Sequence, residues 1–276
     1  MALNSLVTLN DGSKMPQLGF GVWQVSDDGA EAAVKTAIEA GYRSIDTAAI
    51  YRNEGGVGRA IKNSDLSRSD LFITTKLWNE DQGYDNAMKA IDSSLKKLGL
   101  EQVDLYLVHW PAPQRGLYLE TWKAMVEIKK QGIAKSIGVS NFMPEHLTRI
   151  IEATGVVPVL NQIELHPKFQ QPVLREFHEK HGIKTECWSP LGQGQLLEDS
   201  QIKAIAAKHG KTPAQVIIRW HLQNNFIVIP KSVTPSRIKE NFDVDSFSLS
   251  SDEMSTIAGM DSKEGRIGPN PMTAQF

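Results

Sequence analysis

Three short apolar runs in the first half of this chain each end on an ionisable residue. Tyr42-Arg43-Ser44-Ile45 leads into Asp46, Leu71-Phe72-Ile73-Thr74-Thr75 into Lys76, and Leu105-Tyr106-Leu107-Val108 into His109. A run of this kind reads as a buried parallel strand, and a charge there needs a partner or a task. Around these runs, strand and helix signals alternate to the end of the chain. Gly19–Gly21 reads as a strand followed by a helix over Gly29–Ala40. Helices over Glu54–Lys62, Tyr84–Leu98 and Leu117–Gln131 follow the Asp46, Lys76 and His109 strands. Further strands read at Ala134–Val139, Val159–Ile163, Lys184–Trp188 and Phe226–Ile229. Thr212-Pro213 and Thr234-Pro235 are N-cap and N1 pairs that open helices, and a last helix falls near Asp252–Met260.

Ahead of this alternation, Leu6–Leu9, an Asn10-Asp11-Gly12-Ser13 turn and Lys14–Pro16 form a hairpin. Eight β units with no linker or low-complexity break favour a closed barrel over an open sheet. The rival is a doubly wound nucleotide-binding sheet. G-x-G begins at Gly19, Gly56 and Gly192, yet none completes G-x-G-x-x-G. The expected fold is therefore α/β, a (β/α)₈ TIM barrel with an N-terminal β-hairpin, forming one domain over residues 1–276. The carboxyl ends of barrel strands meet around one mouth, where the chemistry of such folds sits.

Composition narrows the class. With 41% hydrophobic and 22% charged residues the chain is ordinary globular protein. A net charge of -2 argues against a nucleic-acid or anionic-membrane partner. The single cysteine, Cys187, excludes an intrachain disulfide and fits a reducing compartment. No signal-peptide core opens the chain and no stretch approaches the ~18 apolar residues of a membrane span, so the expectation is cytoplasmic.

The acid, lysine and histidine delivered to one rim, with Tyr51 on the loop after Asp46, form a candidate acid–base site. A phenol with a pKa near ~10 is a poor proton donor at neutral pH. An ammonium beside it favours the phenolate, so Lys76 is expected to lower that pKa, with Asp46 holding Lys76 charged through a buried pair. A buried pair is weak evidence for stability, which leaves catalysis as the better reason for it. His109, neutral, can donate a hydrogen bond to a substrate carbonyl.

At this point the chain resembles the aldo-keto reductases. Asp46, Tyr51, Lys76 and His109 match that family's catalytic tetrad. Gly41–Ala48, Leu107–Pro111, Gly138–Phe142 and Ile229–Ser232 look like its signature segments. Within the family the likeness is greatest to bacterial 2,5-diketo-D-gluconate reductases. The resemblance implies an NADPH-dependent reductase of aldehydes and ketones, with NADPH/NADP+ as cofactor and a small-molecule carbonyl as substrate, acting as a monomer. By resemblance, Ser140, Asn141 and Gln162 bind the nicotinamide carboxamide and Trp188 stacks on its ring, where many members carry tyrosine. Ser189, Leu191, Gly192 and Gln193 belong to a Gly-rich turn suited to close approach of the pyrophosphate. Lys231, Ser232, Val233 and Arg237, at a helix start, are expected to grip the 2′-phosphate, with Glu240 and Asn241 near the adenine. The plain alternatives are a flexible loop and an N-cap with solvated cations.

Trp23, Trp78, Trp110 and Trp188 fall just past strand ends, whereas Trp122 and Trp220 lie in helical stretches and read as core. Trp23, Trp78, Trp110, His109 and Ala49 are assigned to the substrate side, with Ala48 and Ile50 on the same rim. His178 and His181 read as solvated, His166 as loop packing and Cys187 as a small buried hydrophobe, so no metal is implied. The tail Ser262–Phe276, with Gly265, Gly268, Pro269 and Pro271, reads as an extended and loosely held flap beside an open mouth, which favours broad selectivity. A function of another class, a catalytically weak nicotinamide-binding sensor or partner subunit on the same barrel, is disfavoured by the intact tetrad. A metal-dependent hydrolase lacks a ligand set.

Overall fold

The computed structural model describes residues 5–274 and Phe276. Strands β1 (Leu6–Thr8) and β2 (Lys14–Pro16) form the expected antiparallel hairpin, with Gly12 at φ 87° making its turn. Eight parallel strands follow in chain order around one sheet: β3 (Phe20–Gly21), β4 (Ser44–Asp46), β5 (Phe72–Leu77), β6 (Val103–Val108), β7 (Ala134–Ser140), β8 (Leu160–Glu164), β9 (Lys184–Trp188) and β10 (Ile227–Val228). A parallel bridge from Leu18 to Val228 brings the two edges together, and the Gly19 and Gly21 amides donate to Val228 O at 2.9 Å and Pro230 O at 3.2 Å. These closing strands are shorter than the Gly19–Gly21 and Phe226–Ile229 runs, because pairing there is reduced to a bridge and single bonds.

Helices cover the outside. They are α1 (Asp27–Ala40), α2 (Glu54–Lys62), α3 (Tyr84–Leu98), α4 (Tyr118–Lys130), α5 (Pro144–Thr154), α6 (Pro172–His181), α7 (Ser200–His209), α8 (Pro213–Gln223), α9 (Pro235–Phe242) and α10 (Ser251–Ala258). The capping expected at Thr212 is present: its hydroxyl accepts from the Gln215 amide while Gln215 Oε1 accepts in return. Outward residues of the strands, among them Ile73, Tyr106, Val139 and Ile163, share one apolar core with Val34, Ile91, Trp122, Ile150 and Trp220 of the helices. Both helical tryptophans are thus core, as their position implied. Among the described residues no helix is long and apolar enough to cross a membrane.

One histidine departs from expectation. His178 is buried, not solvated, because the inner face of α6 lies on β8 and β9. The Asn161 amide donates to its Nε2 at 3.0 Å and its Nδ1 pairs with Thr185 Oγ1 at 2.9 Å. Burial pushes its pKa down to about 3.

The hairpin seals the amino end of the barrel. Leu9 and Met15 pack on Phe72, Leu105, Leu107, Val159, Leu160 and Ile227, which fill the lower interior. The carboxyl end is left to be shaped by loops.

Candidate active site

Asp46 ends β4, Lys76 lies one residue before the end of β5, and His109 follows β6. Tyr51 closes a 3₁₀ turn, Ala49–Tyr51, just past β4. The four side chains meet at the upper end of the barrel. Lys76 Nζ donates to Asp46 Oδ1 at 2.5 Å and to Thr47 O at 2.9 Å, with Lys76 fully buried. The same ammonium sits 5.0 Å from the centre of the Tyr51 ring. The His109 ring meets Tyr51 edge-on at 5.6 Å and Trp78 at 5.2 Å.

The electrostatics follow from burial and from this one cation. Burial alone would discharge Lys76, but Asp46 outweighs it, helped by Tyr51 and Glu186, and the ammonium is held above its ordinary pKa. Burial presses the Asp46 carboxyl upward against Lys76 and the Gln162 amide. Burial also raises the Tyr51 phenol; Lys76 pulls it down, while Asp46 and Glu186 add to the rise. The expectation that Lys76 leaves Tyr51 below the usual phenol value is therefore not met: desolvation outweighs the neighbouring charge. His109 is held well below its ordinary pKa by burial and by Lys76, so it is neutral. Its Nδ1 is buried with no partner among the described residues. A neutral imidazole keeps one hydrogen to donate.

Above the tetrad lies a cavity of about 1270 Å³. Trp23, Trp78, Trp110 and Trp188 all line it, together with Asp46, Tyr51 and His109. Ile50 reaches the wall, whereas Ala49, on the same turn, does not. The cavity continues past Asn141 and Gln162 to Ser189, Leu191 and Gln193, and on to Lys231, Ser232, Arg237, Glu240 and Asn241. Three other expected cofactor residues stay off the wall. The Ser140 hydroxyl is spent on Gln162 O at 2.8 Å, Gly192 is packed on Leu196, and Val233 points to solvent.

The Ser189–Gly194 turn is more structured than a flexible loop. It runs into a 3₁₀ segment, Gly192–Glu198, kinked where Gln193 (φ 52°) and Gly194 (φ 92°) are left-handed. Asn141, itself at φ 63°, has both ends of its amide engaged. Its Nδ2 donates to His109 O and Ser140 Oγ, both at 3.0 Å, and its Oδ1 accepts from the Trp188 indole at 2.8 Å. Tryptophan in place of tyrosine thus ties the ring at the end of β9 to the loop after β7.

The tail is not a loose flap. Glu164, at the end of β8, accepts from the Ile267 amide at 2.5 Å and the Gly268 amide at 2.8 Å, and His166 Nε2 lies 3.1 Å from it. Gly265 and Gly268 serve close approach: a Cβ on the first would stand 1.8 Å from Lys168 O, and on the second 2.4 Å from the Trp188 ring. Ile267, Gly268 and Pro269 become cavity wall, and Phe276 packs on Trp110 at 5.1 Å and Trp78 at 5.7 Å. This side of the mouth is therefore covered.

Two acids escaped the sequence reading although they carry the same signal as Asp46, a charge inside or ending an apolar strand. One is Glu164. The other is Glu186 of β9, fully buried and bonded to Gln162, with its carboxyl pushed up to about 8 by burial and by Asp46. The tail residues, and Lys203, Glu198 and Thr212 at the far end of the cavity, had no local signal to mark them. Among the described residues no cluster of His, Cys, Asp or Glu could hold a metal ion.

Comparison with known proteins places the chain in a family. A sequence model of the Aldo/keto reductase family matches residues 16–262. An aldo-keto reductase of Mycolicibacterium smegmatis is 56% identical over 270 residues, and the methylglyoxal reductase DkgA of Escherichia coli is 54% identical over 273, each alignment covering 98% of both chains. Among solved structures, a mutant of Gox0644 in complex with NADPH superposes with a TM-score of 0.96 at 56% identity, over 99% of each chain. A Bombyx mori aldo-keto reductase in complex with NADP gives 0.87 at 37% identity, over 95% of this chain and 94% of that one.

Proposed function

The chain belongs to the aldo/keto reductase family, and on that premise we propose that it reduces small aldehydes and ketones to alcohols with NADPH, Tyr51 acting as the acid. The observation that carries this reading is the buried Lys76–Asp46 pair set beneath Tyr51, with neutral His109 beside it at the floor of the cavity.

The cavity fits a dinucleotide on its own terms. Its volume exceeds the ~300–1000 Å³ of a typical small-ligand pocket. Lys231 and Arg237 lie on its wall near the start of α9, exposed and without protein partners among the described residues, as a phosphate subsite needs. At the far end Asn241 keeps a buried Oδ1 with no partner among the described residues, an acceptor available to an adenine amine. Trp188 offers a ring face, and Gln162 an amide, to a nicotinamide. NADPH, when bound, supplies the hydride.

The chain's own residues do the rest. His109, through its ring N–H, holds the carbonyl oxygen and fixes which carbon faces the nicotinamide. Tyr51 gives its proton to that oxygen as negative charge develops there, and Lys76 stabilises the phenolate left behind until water returns a proton. Trp23, Trp78, Trp110 and Phe276 exclude water from the reacting atoms. A 54% identical methylglyoxal reductase supports α-dicarbonyls as substrates, with keto-sugar acids and β-keto esters in the same class. The reading extends to one domain acting as a cytoplasmic monomer, since a single chain supplies the whole tetrad and cavity and Cys187 is a buried free thiol.

The test is NADPH oxidation by the purified protein with methylglyoxal, a keto-sugar acid, a β-keto ester and an aromatic aldehyde, with NADH in parallel. Turnover with at least one carbonyl and a preference for NADPH are expected. Tyr51→Phe should lose ~100-fold or more in kcat yet bind NADPH about as the wild type does. A wild type that binds NADPH but turns over nothing would support the sensor reading instead.

A further inference from the structure

Gln162 and Glu186 stand directly opposite each other on the adjacent parallel strands β8 and β9, and both side chains are buried within the barrel. The Gln162 amide nitrogen has two hydrogens. One goes to Asp46 Oδ2 at 2.8 Å, the other to Glu186 Oε2 at 2.9 Å. Asp46, the counter-charge of Lys76, accepts at this contact, which places the amide nitrogen on the side of the two acids, and Glu186 Oε2 takes the second hydrogen. Both donors are spent, and Gln162 has only its carbonyl oxygen left to offer the cavity it lines.

Glu186 has no evident structural reason to be polar. It is completely buried, and its Oε1 has no hydrogen-bond partner among the described residues. A buried carboxyl half satisfied in this way is a net cost to folding. With an apolar residue at position 186, Gln162 would still have Asp46, but its second N–H would be unpaired and the amide free to swing about the one bond that remains.

We propose that Glu186 is a positioning residue of the nicotinamide subsite, holding Gln162 so that the cavity meets an acceptor and never a donor. The proposal rests on the dinucleotide reading given above. What the acceptor selects is the amine half of the carboxamide, and with it one orientation of the ring against Trp188. Glu186 touches neither cofactor nor substrate; it acts through Gln162.

The experiment measures dissociation constants for NADPH and for 2′-phospho-ADP-ribose, which keeps the phosphates and adenine but has no nicotinamide. One shared hydrogen bond corresponds to roughly 3- to 10-fold in affinity. Glu186→Ala should weaken NADPH by about that factor and leave 2′-phospho-ADP-ribose within twofold. Glu186→Gln, which keeps an acceptor but no charge, should restore most of the loss. In a Gln162→Ala background, Glu186→Ala should add nothing. If the alanine variant does not fold, Glu186→Met, of similar volume, is read in the same way. Equal weakening of both ligands, or an NADPH affinity unmoved in Glu186→Ala and Glu186→Met, overturns the proposal while the reductase reading stands. A wild type that binds 2′-phospho-ADP-ribose but not NADPH overturns both.

Discussion

Lys76 carries two burdens that pull apart under substitution. It is the cation that opposes the rise of the Tyr51 phenol, and it is the counter-charge of Asp46. Replacing it with methionine removes the first function and leaves a buried carboxylate with only Gln162 for company. Breaking one side of a buried pair costs ~3–5 kcal/mol, whereas removing both sides is often neutral. Lys76→Met is therefore expected to fall ~100-fold or more in kcat and to lose stability. Asp46→Asn added to it should recover most of the melting temperature and none of the activity. Recovery of activity by the double variant would show that Lys76 serves the fold alone. Because Tyr51 is raised and not lowered, its proton is in place throughout the neutral range, and no loss of the acid form is expected as pH rises toward 9.

At the scale of elements, the informative contact is the one between β8 and the tail. Glu164 turns at the strand end to receive two backbone amides more than a hundred residues away, and His166 closes the group. Burial works against this carboxylate, but His166 and the two amides outweigh it and hold its pKa below the ordinary value of 4.5. A depressed acid contributes stability above its unfolded value and loses it as pH falls through the folded one. The clasp should thus be intact at pH 5 and above, and open only under acid. Glu164→Ala is expected to release Ile267–Pro269 from the wall, raising KM for both NADPH and carbonyl several-fold. It should also open the Arg266–Ile267 bond to trypsin, and a cleavage rate there equal to wild type would refute the clasp. The strands and most helices were legible in the sequence because their signals are local: apolar runs, caps and Gly–Pro punctuation. Asp46, Lys76 and His109 were legible for the same reason, each at or beside a strand end, and Tyr51 by its place on the loop after the first of them. The tail was not, since Gly265, Gly268 and Pro269 suit a loose segment and a tightly fastened one equally, and the fastening residue is remote. Glu186 was readable in principle, as a charge within the run Lys184–Trp188, but its meaning depends on Gln162 lying opposite, which is a fact of register.

Across the whole molecule the two ends of the barrel divide the labour. The candidate site is gathered at the carboxyl end, while the amino end is closed by a hairpin whose tip is fastened by polar contacts. Asp11 accepts from Lys129 Nζ at 2.6 Å and Ser136 Oγ at 2.8 Å, and Asn10 Nδ2 donates to Pro158 O at 2.9 Å. Beneath that tip Leu9 and Met15 complete the lower core, so the fastening holds an apolar plug in place. Burial resists the charge on Asp11, but Lys129, Ser13 and Ser136 prevail and lower its pKa to about 2. Asp11→Ala should cost about 1–2 kcal/mol, since the site is partly exposed and the surrounding water screens the pair. By the same linkage that cost is present above pH 3.8 and is lost as pH falls through about 2, where the wild type is itself giving up the carboxylate. The tetrad lies at the opposite end of the strands, so kcat and the NADPH dissociation constant should stay within twofold of wild type at 25 °C. Thermal unfolding across pH 2–7, alongside steady-state kinetics, checks both halves. A variant that keeps its stability would show that the hairpin does not brace the core. One that loses NADPH affinity while still folded would show that the two ends are coupled through the strands.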